Sequence, residues 1–253
     1  MIQWPTIPRD GVPELSATRM REVDRIMIEE LGVDLLQMME LAGSHLAALA
    51  LGLFGPALRT GPVLVLAGGG NNGGGGLSAA RHLVNRGATV VVLTVGDPEA
   101  VKPAPRHQRR ILDAMGVPVR TFESPDPGTI EQVFSEAALL LDCVVGYGLA
   151  GSLTGAPRRA VETMNRSGRP VLSLDVPSGF DTMGESRTPC VRAQATLALA
   201  LPKAGLLSEA GRERSGRIFL GDIGVPPELY RRVGEDPGCL FSRGRLLEIA
   251  SGC

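Results

Sequence analysis

The stretch Leu66-Ala67-Gly68-Gly69-Gly70-Asn71-Asn72-Gly73-Gly74-Gly75-Gly76 decides the fold of this chain. It lies between an apolar run at 62–66 and a helix-like segment at 77–86. Seven of the nine residues at 68–76 are glycine, so the backbone can turn sharply and its N–H groups can approach an anion. The helix that follows would point its positive end at the same place. The stretch is therefore predicted to be a phosphate-binding loop.

The pattern Gly68-x-Gly70-x-x-Gly73 is weak by itself because glycine is common in this chain. A second strand-like run at 88–93 follows the helix, so strand, loop, helix and strand together predict a βαβ unit. The alternative is a plain glycine-rich turn with Asn72-Gly73 as its turn dipeptide. Tight turns seldom need so many glycines, which favours the phosphate-binding loop.

Short apolar runs alternate with amphipathic stretches from residue 62 onward, which predicts parallel strands joined by crossover helices. The predicted fold is α/β: a three-layer, doubly wound, mostly parallel, Rossmann-like sheet with N-terminal helices. In such sheets ligands bind at the carboxyl ends of the strands. Strands are predicted at 62–67, 88–95, 118–122, 138–145, 170–175, 195–201 and 217–220, and helices between them at 76–86, 105–115, 129–137 and 156–165.

Two further helices are predicted before the sheet. Ser16 can cap the first, and Gly32 can end it. The second, at about 33–53, is rich in Leu, Met and Ala, which indicates burial on most sides or a subunit contact and suggests a homodimer. The apolar face of the first helix would consist of Met20, Val23, Met27 and Leu31.

Composition places the chain among globular proteins and excludes several classes of partner. Its 253 residues are 43% hydrophobic and carry a net charge of −1, which predicts one domain over 1–253, with a leader at 1–15 and an appendage at 228–253. Neither nucleic acid nor a membrane is expected as a partner. Four scattered cysteines without a C-x-x-C motif indicate a reducing compartment, and no signal-peptide pattern is present, so a cytoplasmic location is predicted.

Polar residues follow the predicted strands where a sheet of this type binds ligands. Asp175-Val176-Pro177-Ser178 places a carboxylate at a forced turn, where Asp175 could act as a general acid or base or merely cap the turn. Asp142 ends another strand, and would be a cap if it acted alone. The Asp142 carboxylate, the Ser178 hydroxyl and the Asn72 amide oxygen together suit an alkali or alkaline-earth cation. Lys203 could meet a phosphate or be a solvated surface lysine.

With these clusters the chain resembles the NAD(P)H-hydrate epimerases, also called the YjeF N-terminal domain family, over residues 16–227. The matching motifs are Arg21-Glu22-Val23-Asp24, Met39-Glu40-Leu41-Ala42-Gly43, Gly70-Asn71-Asn72-Gly73-Gly74, Ala80-Arg81-His82-Leu83, Asp142 with Gly146-Tyr147-Gly148-Leu149, Asp175-Val176-Pro177-Ser178-Gly179 and Pro202-Lys203-Ala204-Gly205.

The resemblance implies an isomerase that interconverts the R and S hydrates of NADH and NADPH (NADHX and NADPHX) at C6 of the nicotinamide ring, as metabolite repair. It implies a potassium ion held by Asn72, Asp142 and Ser178, and a substrate contact at Asp175, which we expect to be the catalytic acid and base. A separate dehydratase would consume the product. The implied substrate-binding residues are Asn71, Asn72, Gly73, Gly74, Gly75, Gly146, Tyr147, Gly148, Leu149, Ala150, Gly151, Ser152, Asp175 and Lys203.

The sequence departs from the family pattern at two positions. Gly75 stands where the family usually has Asp, and Leu41 stands where Asn is common. The loss of that carboxylate keeps open the alternative of a non-catalytic nucleotide-binding or protein-interaction module. A third alternative, an NAD-dependent dehydrogenase, would need Asp97 to hold the ribose, and no catalytic His or Tyr-x-x-x-Lys pattern follows.

Overall fold

Short, buried runs of Val, Leu and Ala form the strands of a single sheet. The computed structural model describes residues 3–123, 127–149, 151–182 and 189–250, with the backbone alone for 127–129. The strands are β1 (Thr6–Ile7), β2 (Val63–Gly68), β3 (Val90–Val95), β4 (Val119–Thr121), β5 (Leu139–Cys143), β6 (Val171–Leu174), β7 (Ala195–Leu199), β8 (Arg217–Gly221) and β9 (Leu246–Ile249). The helices are α1 (Ala17–Arg25), α2 (Leu35–Phe54), α3 (Asn71–Val84), α4 (Pro103–Ala114), α5 (Pro127–Glu136), α6 (Gly155–Arg166), α7 (Glu209–Ser215) and α8 (Pro227–Arg232).

The strand order is β1-β9-β8-β7-β6-β5-β2-β3-β4, and β8–β9 is the antiparallel pair in an otherwise parallel sheet. From β2 the chain builds outward through β3 and β4, then crosses back to β5 on the other side of β2. This reversal makes the gap between the carboxyl ends of β2 and β5 the topological switch point, where doubly wound sheets bind ligands. The predicted mostly parallel, doubly wound fold is confirmed.

Helices cover both faces of the sheet, which gives the predicted three layers. Leu46 of α2 and Leu77 of α3 belong to the same buried cluster as Val65 of β2. On the other face, Phe134 of α5 packs in a cluster with Leu66 of β2. Because β2 is buried on both faces, its sequence is a continuous apolar run rather than an alternation of apolar and polar residues.

Helix α2 is long and apolar enough, by length and composition, to cross a membrane, with a mean hydropathy of 1.2. Half of this apolar 18-residue stretch is buried inside the protein. Leu46, Leu49 and Ala50 are fully buried against the sheet and α3. The Leu- and Met-rich composition of α2 suggested a subunit contact. On this face of the helix, the apolar side chains instead pack into the chain's own hydrophobic core.

The glycine-rich stretch differs from the prediction, because most of it is helical. Helix α3 begins at Asn71 rather than at residue 76, and the four glycines at 73–76 are buried in its first turns. A Cβ on Gly73 would lie 1.8 Å from the carbonyl oxygen of Gly68, and one on Gly76 would lie 2.6 Å from Cβ of Cys143. These glycines let the start of α3 lie directly on the sheet, a packing gain that outweighs their poor helix propensity.

The sequence pattern did not predict the two strands at one edge of the sheet. The leader at 1–15 contains β1, which pairs with β9, and the appendage at 228–253 contains β9, which pairs with β8. The two strands are two and four residues long, too short to show a periodic pattern. Helices α7 and α8, seven and six residues long, were missed for the same reason.

We expect Gly73→Ala to lower the free energy of unfolding by about 3 kcal/mol, because its Cβ would strike a backbone oxygen that no rotamer change can move. Gly75→Ala is the matched control, since its Cβ would meet only the end of the Leu174 side chain, at 2.7 Å. The gain in helix propensity, about 1 kcal/mol, should nearly offset that contact. Urea denaturation measures both variants. Equal stability of the two would contradict close packing at Gly73.

Candidate functional site

A cavity of about 540 Å³ opens at the carboxyl ends of the central strands. It spans the switch point between β2 and β5, and α1 and α2 form the opposite wall. Its size is that of an ordinary small-molecule site. The predicted site residues that line it are Asn71, Asn72, Gly75, Gly146, Tyr147, Gly148, Asp175 and Lys203.

The N-terminus of α3 opens into this cavity. The N-cap residue, Gly70, has no side chain, so no side chain caps the helix, and the first hydrogen bond within the helix is from Gly74 N to Gly70 O. The N–H groups of the first turn are therefore available to a ligand. Arg21 and Lys102 line the same cavity, so cationic side chains and a positive helix end face one space.

Asp175 lies at the end of β6 in an unusual backbone conformation. Its φ is +71°, a left-handed value that non-glycine residues rarely adopt. Its N–H donates to the carbonyl oxygen of Leu197 at 2.7 Å, which ties the turn to β7. Such strain persists where surrounding structure fixes it, often at functional sites. The turn aims a nearly buried carboxylate into the cavity.

Lys203 is the partner of Asp175. Its ammonium nitrogen lies 2.5 Å from Asp175 Oδ1 and donates to the carbonyl oxygen of Leu199 at 2.7 Å. Lys203 is fully buried, so the solvated surface lysine considered from the sequence is wrong. Main-chain pairing of its neighbours with Leu15 holds the loop in place. Because a buried ammonium must be compensated, Lys203 is committed to Asp175 rather than free to hold a phosphate.

Tyr147 connects Asp175 to a second carboxylate. Its backbone N–H donates to Asp175 Oδ2 at 2.9 Å, and its phenol donates to Asp24 Oδ2 at 2.5 Å. Asp24 belongs to α1 and lines the cavity. Burial raises the pKa of Asp24, and the charge of Asp175 adds to the rise, whereas the phenol and Lys203 act in the opposite direction. The cavity therefore contains two carboxylates in different environments.

Asp142 and Ser178 lie together beneath the cavity and are completely buried. Asp142 accepts hydrogen bonds from the Ser178 hydroxyl at 2.5 Å, the Ser178 backbone N–H at 2.8 Å and the Ser173 hydroxyl at 2.8 Å, and a longer one from the Val144 N–H at 3.4 Å. Burial raises the pKa of Asp142, although these bonds oppose the rise. All four donors are neutral, and no ion pair joins Asp142 to any described lysine or arginine.

Asn72 faces the loop after β5. A Cβ on Gly146 would lie 3.2 Å from Asn72 Oδ1 and 2.8 Å from Asp175 Oδ2, so both side chains approach the same glycine. The amide nitrogen of Asn72 is buried without a hydrogen-bond partner among the described residues. A buried polar atom without a partner is costly, and at a cavity wall it indicates a group shaped for a ligand.

Several predicted residues lie elsewhere. Gly73 and Gly74 do not line the cavity, because their open faces pack against Gly68 and against Met39. Leu149, Gly151 and Ser152 also lie outside the lining, and the last two are exposed. Ala150 lies outside the described residues.

Gly75 and Asp97 bear on the two alternative functions. Gly75 lines the cavity, but a side chain there would displace Leu174, so an aspartate at 75 requires repacking. The catalytic interpretation does not depend on it, because Asp24 and Asp175 already supply carboxylates. Asp97, which a dehydrogenase would need for the ribose, accepts a hydrogen bond from the Glu99 N–H at 2.9 Å as the cap of a short turn and does not line the cavity.

The sequence interpretation missed Asp24, Arg21 and Lys102 as cavity residues. A signal for Asp24 was present, since it lies four residues after Met20 and three before Met27 and so falls on the apolar face of α1. A carboxylate on a buried face requires an explanation. Lys102 and Arg21 are exposed, like many other basic residues of this chain, so no such signal marked them in the sequence.

A family model, described as YjeF-related protein N-terminus, matches residues 35–205 of this chain. The chain belongs to the YjeF-related protein N-terminus family. The family prediction is thus confirmed. The match extends from the start of α2 to the loop that holds Lys203, and so includes the α3 N-terminus, Asp142, Tyr147, Asp175 and Ser178.

Relatives of this YjeF-related chain cover nearly all of it. It is 39% identical over 234 residues to a protein of Dehalogenimonas lykanthroporepellens named NAD(P)H-hydrate epimerase, covering 92% of this chain and 91% of the relative. A protein of Weissella koreensis with the same name is 34% identical, with 86% and 95% covered. A bifunctional NAD(P)H-hydrate repair enzyme of Salinibacter ruber is 35% identical over 90% of this chain, which spans 44% of that relative.

The YjeF-related fold is also found in a yeast protein of known crystal structure. The two structures superpose with a TM-score of 0.81 at 25% sequence identity, covering 94% of this chain and 100% of the yeast chain. The overall fold of this chain is therefore shared with the yeast protein.

We expect Lys203→Met to lower the free energy of unfolding by about 3–5 kcal/mol, because it leaves the Asp175 carboxylate buried without its cation. Adding Asp175→Asn to that variant should recover much of the loss, since both buried charges are then gone. The exposed Lys102→Met is the control and should change stability by less than about 0.5 kcal/mol. Urea denaturation measures all three. A Lys203→Met protein as stable as the wild type would contradict the ion pair.

Proposed function

We propose that this protein is an NAD(P)H-hydrate epimerase, which interconverts the R and S hydrates of NADH and NADPH at C6 of the nicotinamide ring. The observation that carries the proposal is the placement of two carboxylates, Asp175 and Asp24, in one cavity with an uncapped helix N-terminus. Relatives that are covered almost completely by this chain carry the same name. The reaction needs an acid and base at a ring and a binding site for phosphates, and the two carboxylates and the uncapped helix start would supply them.

The anionic part of the substrate would lie at the start of α3. The first-turn N–H groups from Asn71 and Asn72 can donate to a pyrophosphate, and the helix dipole favours its charge. Arg21 and Lys102 line the same cavity and would add attraction at its wall. The close packing of the glycines at 73–76 fixes the direction of this helix end relative to Asp175.

The chemistry at the ring would require only proton transfer and charge stabilisation. The lone pair of the ring nitrogen helps expel the C6 hydroxyl as water once the hydroxyl is protonated, leaving a planar cation. Water then returns to C6 and gives up a proton. Asp175 would carry that proton and stabilise the cation with its charge. Lys203 holds the carboxylate in place, and no redox step occurs.

Potassium is the cofactor that the residues below the cavity would fit. Asp142, Ser178 and Asn72 offer oxygen ligands with one negative charge, which suits a monovalent cation. The buried Asp142 carboxylate, whose hydrogen-bond partners are all neutral, supports this assignment. When bound, the ion would supply a positive charge that neutralises Asp142. The protein's contribution is to tie the loops after β5 and β6 together through Ser178, whose hydroxyl accepts from the Val145 N–H at 2.9 Å.

A cytoplasmic location, a homodimer and a separate dehydratase that consumes the product stay predictions. The dehydratase follows from the chemistry, since epimerisation repairs nothing unless one epimer is then converted back to the reduced nucleotide.

The proposed activity is tested by following the interconversion of purified R and S NADHX by chromatography. We expect the wild-type protein to accelerate it well above the spontaneous rate. Asp175→Asn should reduce that acceleration by about 10²–10⁴-fold, because the general acid and base is lost. The folded state of the variant is checked by circular dichroism. Dinucleotide binding without acceleration by the wild type would favour the non-catalytic module.

The potassium assignment is tested by thermal unfolding in KCl and in N-methylglucamine chloride at equal ionic strength. We expect potassium to raise the Tm of the wild type, with a stabilisation of about 1.4 kcal/mol at ten times Kd. Asn72→Ala and Asp142→Asn should each reduce the shift. A Tm that does not respond to potassium would contradict the assignment, and Asn72→Ala keeps the test informative if Asp142→Asn fails to fold.

A further inference from the structure

Epimerisation at C6 has a geometric requirement that one carboxylate does not meet. The hydroxyl leaves from one face of the ring, and water must return to the other face. A proton has to be delivered or removed on each face, so a fixed acid and base on one side can assist only half of each turnover. The cavity should therefore present a second proton carrier opposite Asp175.

Asp24 has the position for this role. It lines the cavity on the α1 side, whereas Asp175 approaches from the sheet. Tyr147 spans the two carboxylates, with its backbone N–H on Asp175 Oδ2 at 2.9 Å and its phenol on Asp24 Oδ2 at 2.5 Å. Tyr147 thus contacts both carboxylates, and both line the cavity.

The environments of the two carboxylates differ in a way that suits opposite roles. Asp175 is paired with the buried Lys203 ammonium at 2.5 Å, which stabilises its negative charge. No described lysine or arginine forms an ion pair with Asp24, whose hydrogen-bond partner is a neutral phenol. Burial raises the pKa of Asp24, which favours its protonated form. A carboxylate paired with a cation and a carboxyl group hydrogen-bonded to a neutral phenol are suited to the roles of base and acid, respectively.

We propose that Asp24 is a second catalytic residue, which transfers protons at the face of the nicotinamide ring opposite Asp175. When the hydroxyl leaves toward Asp24, its oxygen takes the Asp24 proton, the C6–O bond breaks, and the ring nitrogen lone pair forms the C=N bond of the cation. Water then adds to C6 from the other face and gives its proton to Asp175. The reverse reaction uses the same groups in exchanged roles, and bulk water restores the protons. The proposal rests on the proposed function.

Oxygen exchange tests each face separately. In water enriched in ¹⁸O, the planar cation can recapture water on the face from which hydroxyl left, which labels the substrate without epimerising it. With both carboxylates present, both epimers should gain label while they interconvert. Each epimer is isolated by chromatography and its label is measured by mass spectrometry.

For Asp24→Asn we expect epimerisation to fall at least about 100-fold, the lower range for loss of a general acid or base. Labelling should persist in one epimer, at within about tenfold of the wild-type rate, and be lost from the other. Asp175→Asn should give the reciprocal pattern. Glu22→Gln, which removes an exposed carboxylate from the same helix, is the matched control and should behave as the wild type.

Three results would overturn the role of Asp24 while leaving the proposed function intact. One is an Asp24→Asn protein that epimerises within threefold of the wild type. Another is equal loss of label from both epimers in a folded Asp24→Asn protein, which would indicate a structural role. The third is a Tyr147→Phe protein that reproduces the one-sided labelling of Asp24→Asn, because Tyr147→Phe keeps both carboxylates. A wild-type protein that does not accelerate epimerisation would instead overturn the proposed function.

Discussion

A carboxylate inside a protein is costly unless a positive charge or hydrogen bonds compensate it, and the Asp175 carboxylate has one ion pair and one hydrogen bond. Lys203 lies against one of its oxygens and the Tyr147 N–H against the other. The same contacts join the loops that follow β5, β6 and β7. The left-handed backbone of Asp175 is kept in place by these partners, so the ion pair fixes both the site's charge and its shape.

The second constraint is the distance between α3 and the sheet. Because the glycines at 73–76 carry no side chains, the helix start lies close enough for its open end to face the cavity that Asp175 also faces. The open helix end and the Asp175 carboxylate are thereby held at a fixed separation. That combination suits a dinucleotide with a reactive ring at one end. The glycines therefore matter both for packing α3 on the sheet and for the proposed binding of the substrate.

Much of the architecture could be predicted from the sequence, because buried parallel strands are apolar runs and crossover helices are amphipathic. The convergence of Asn72, Tyr147 and Asp175 followed from that topology. The start of α3 was predicted five residues late, since glycine disfavours helix when packing is not considered. The burial of Lys203 could not be predicted, because lysine is rarely buried and its partner is distant in sequence. Asp24 belongs to the motif at 21–24, but its place in the cavity was not predicted, because that place depends on where α1 lies against the sheet.

A crystal structure with NADP and potassium measures directly where a dinucleotide binds to this protein. The nicotinamide ring should lie between Asp175 and Asp24, with the pyrophosphate at the N–H groups that open α3. A nicotinamide outside the cavity, or a pyrophosphate away from α3, would contradict the account.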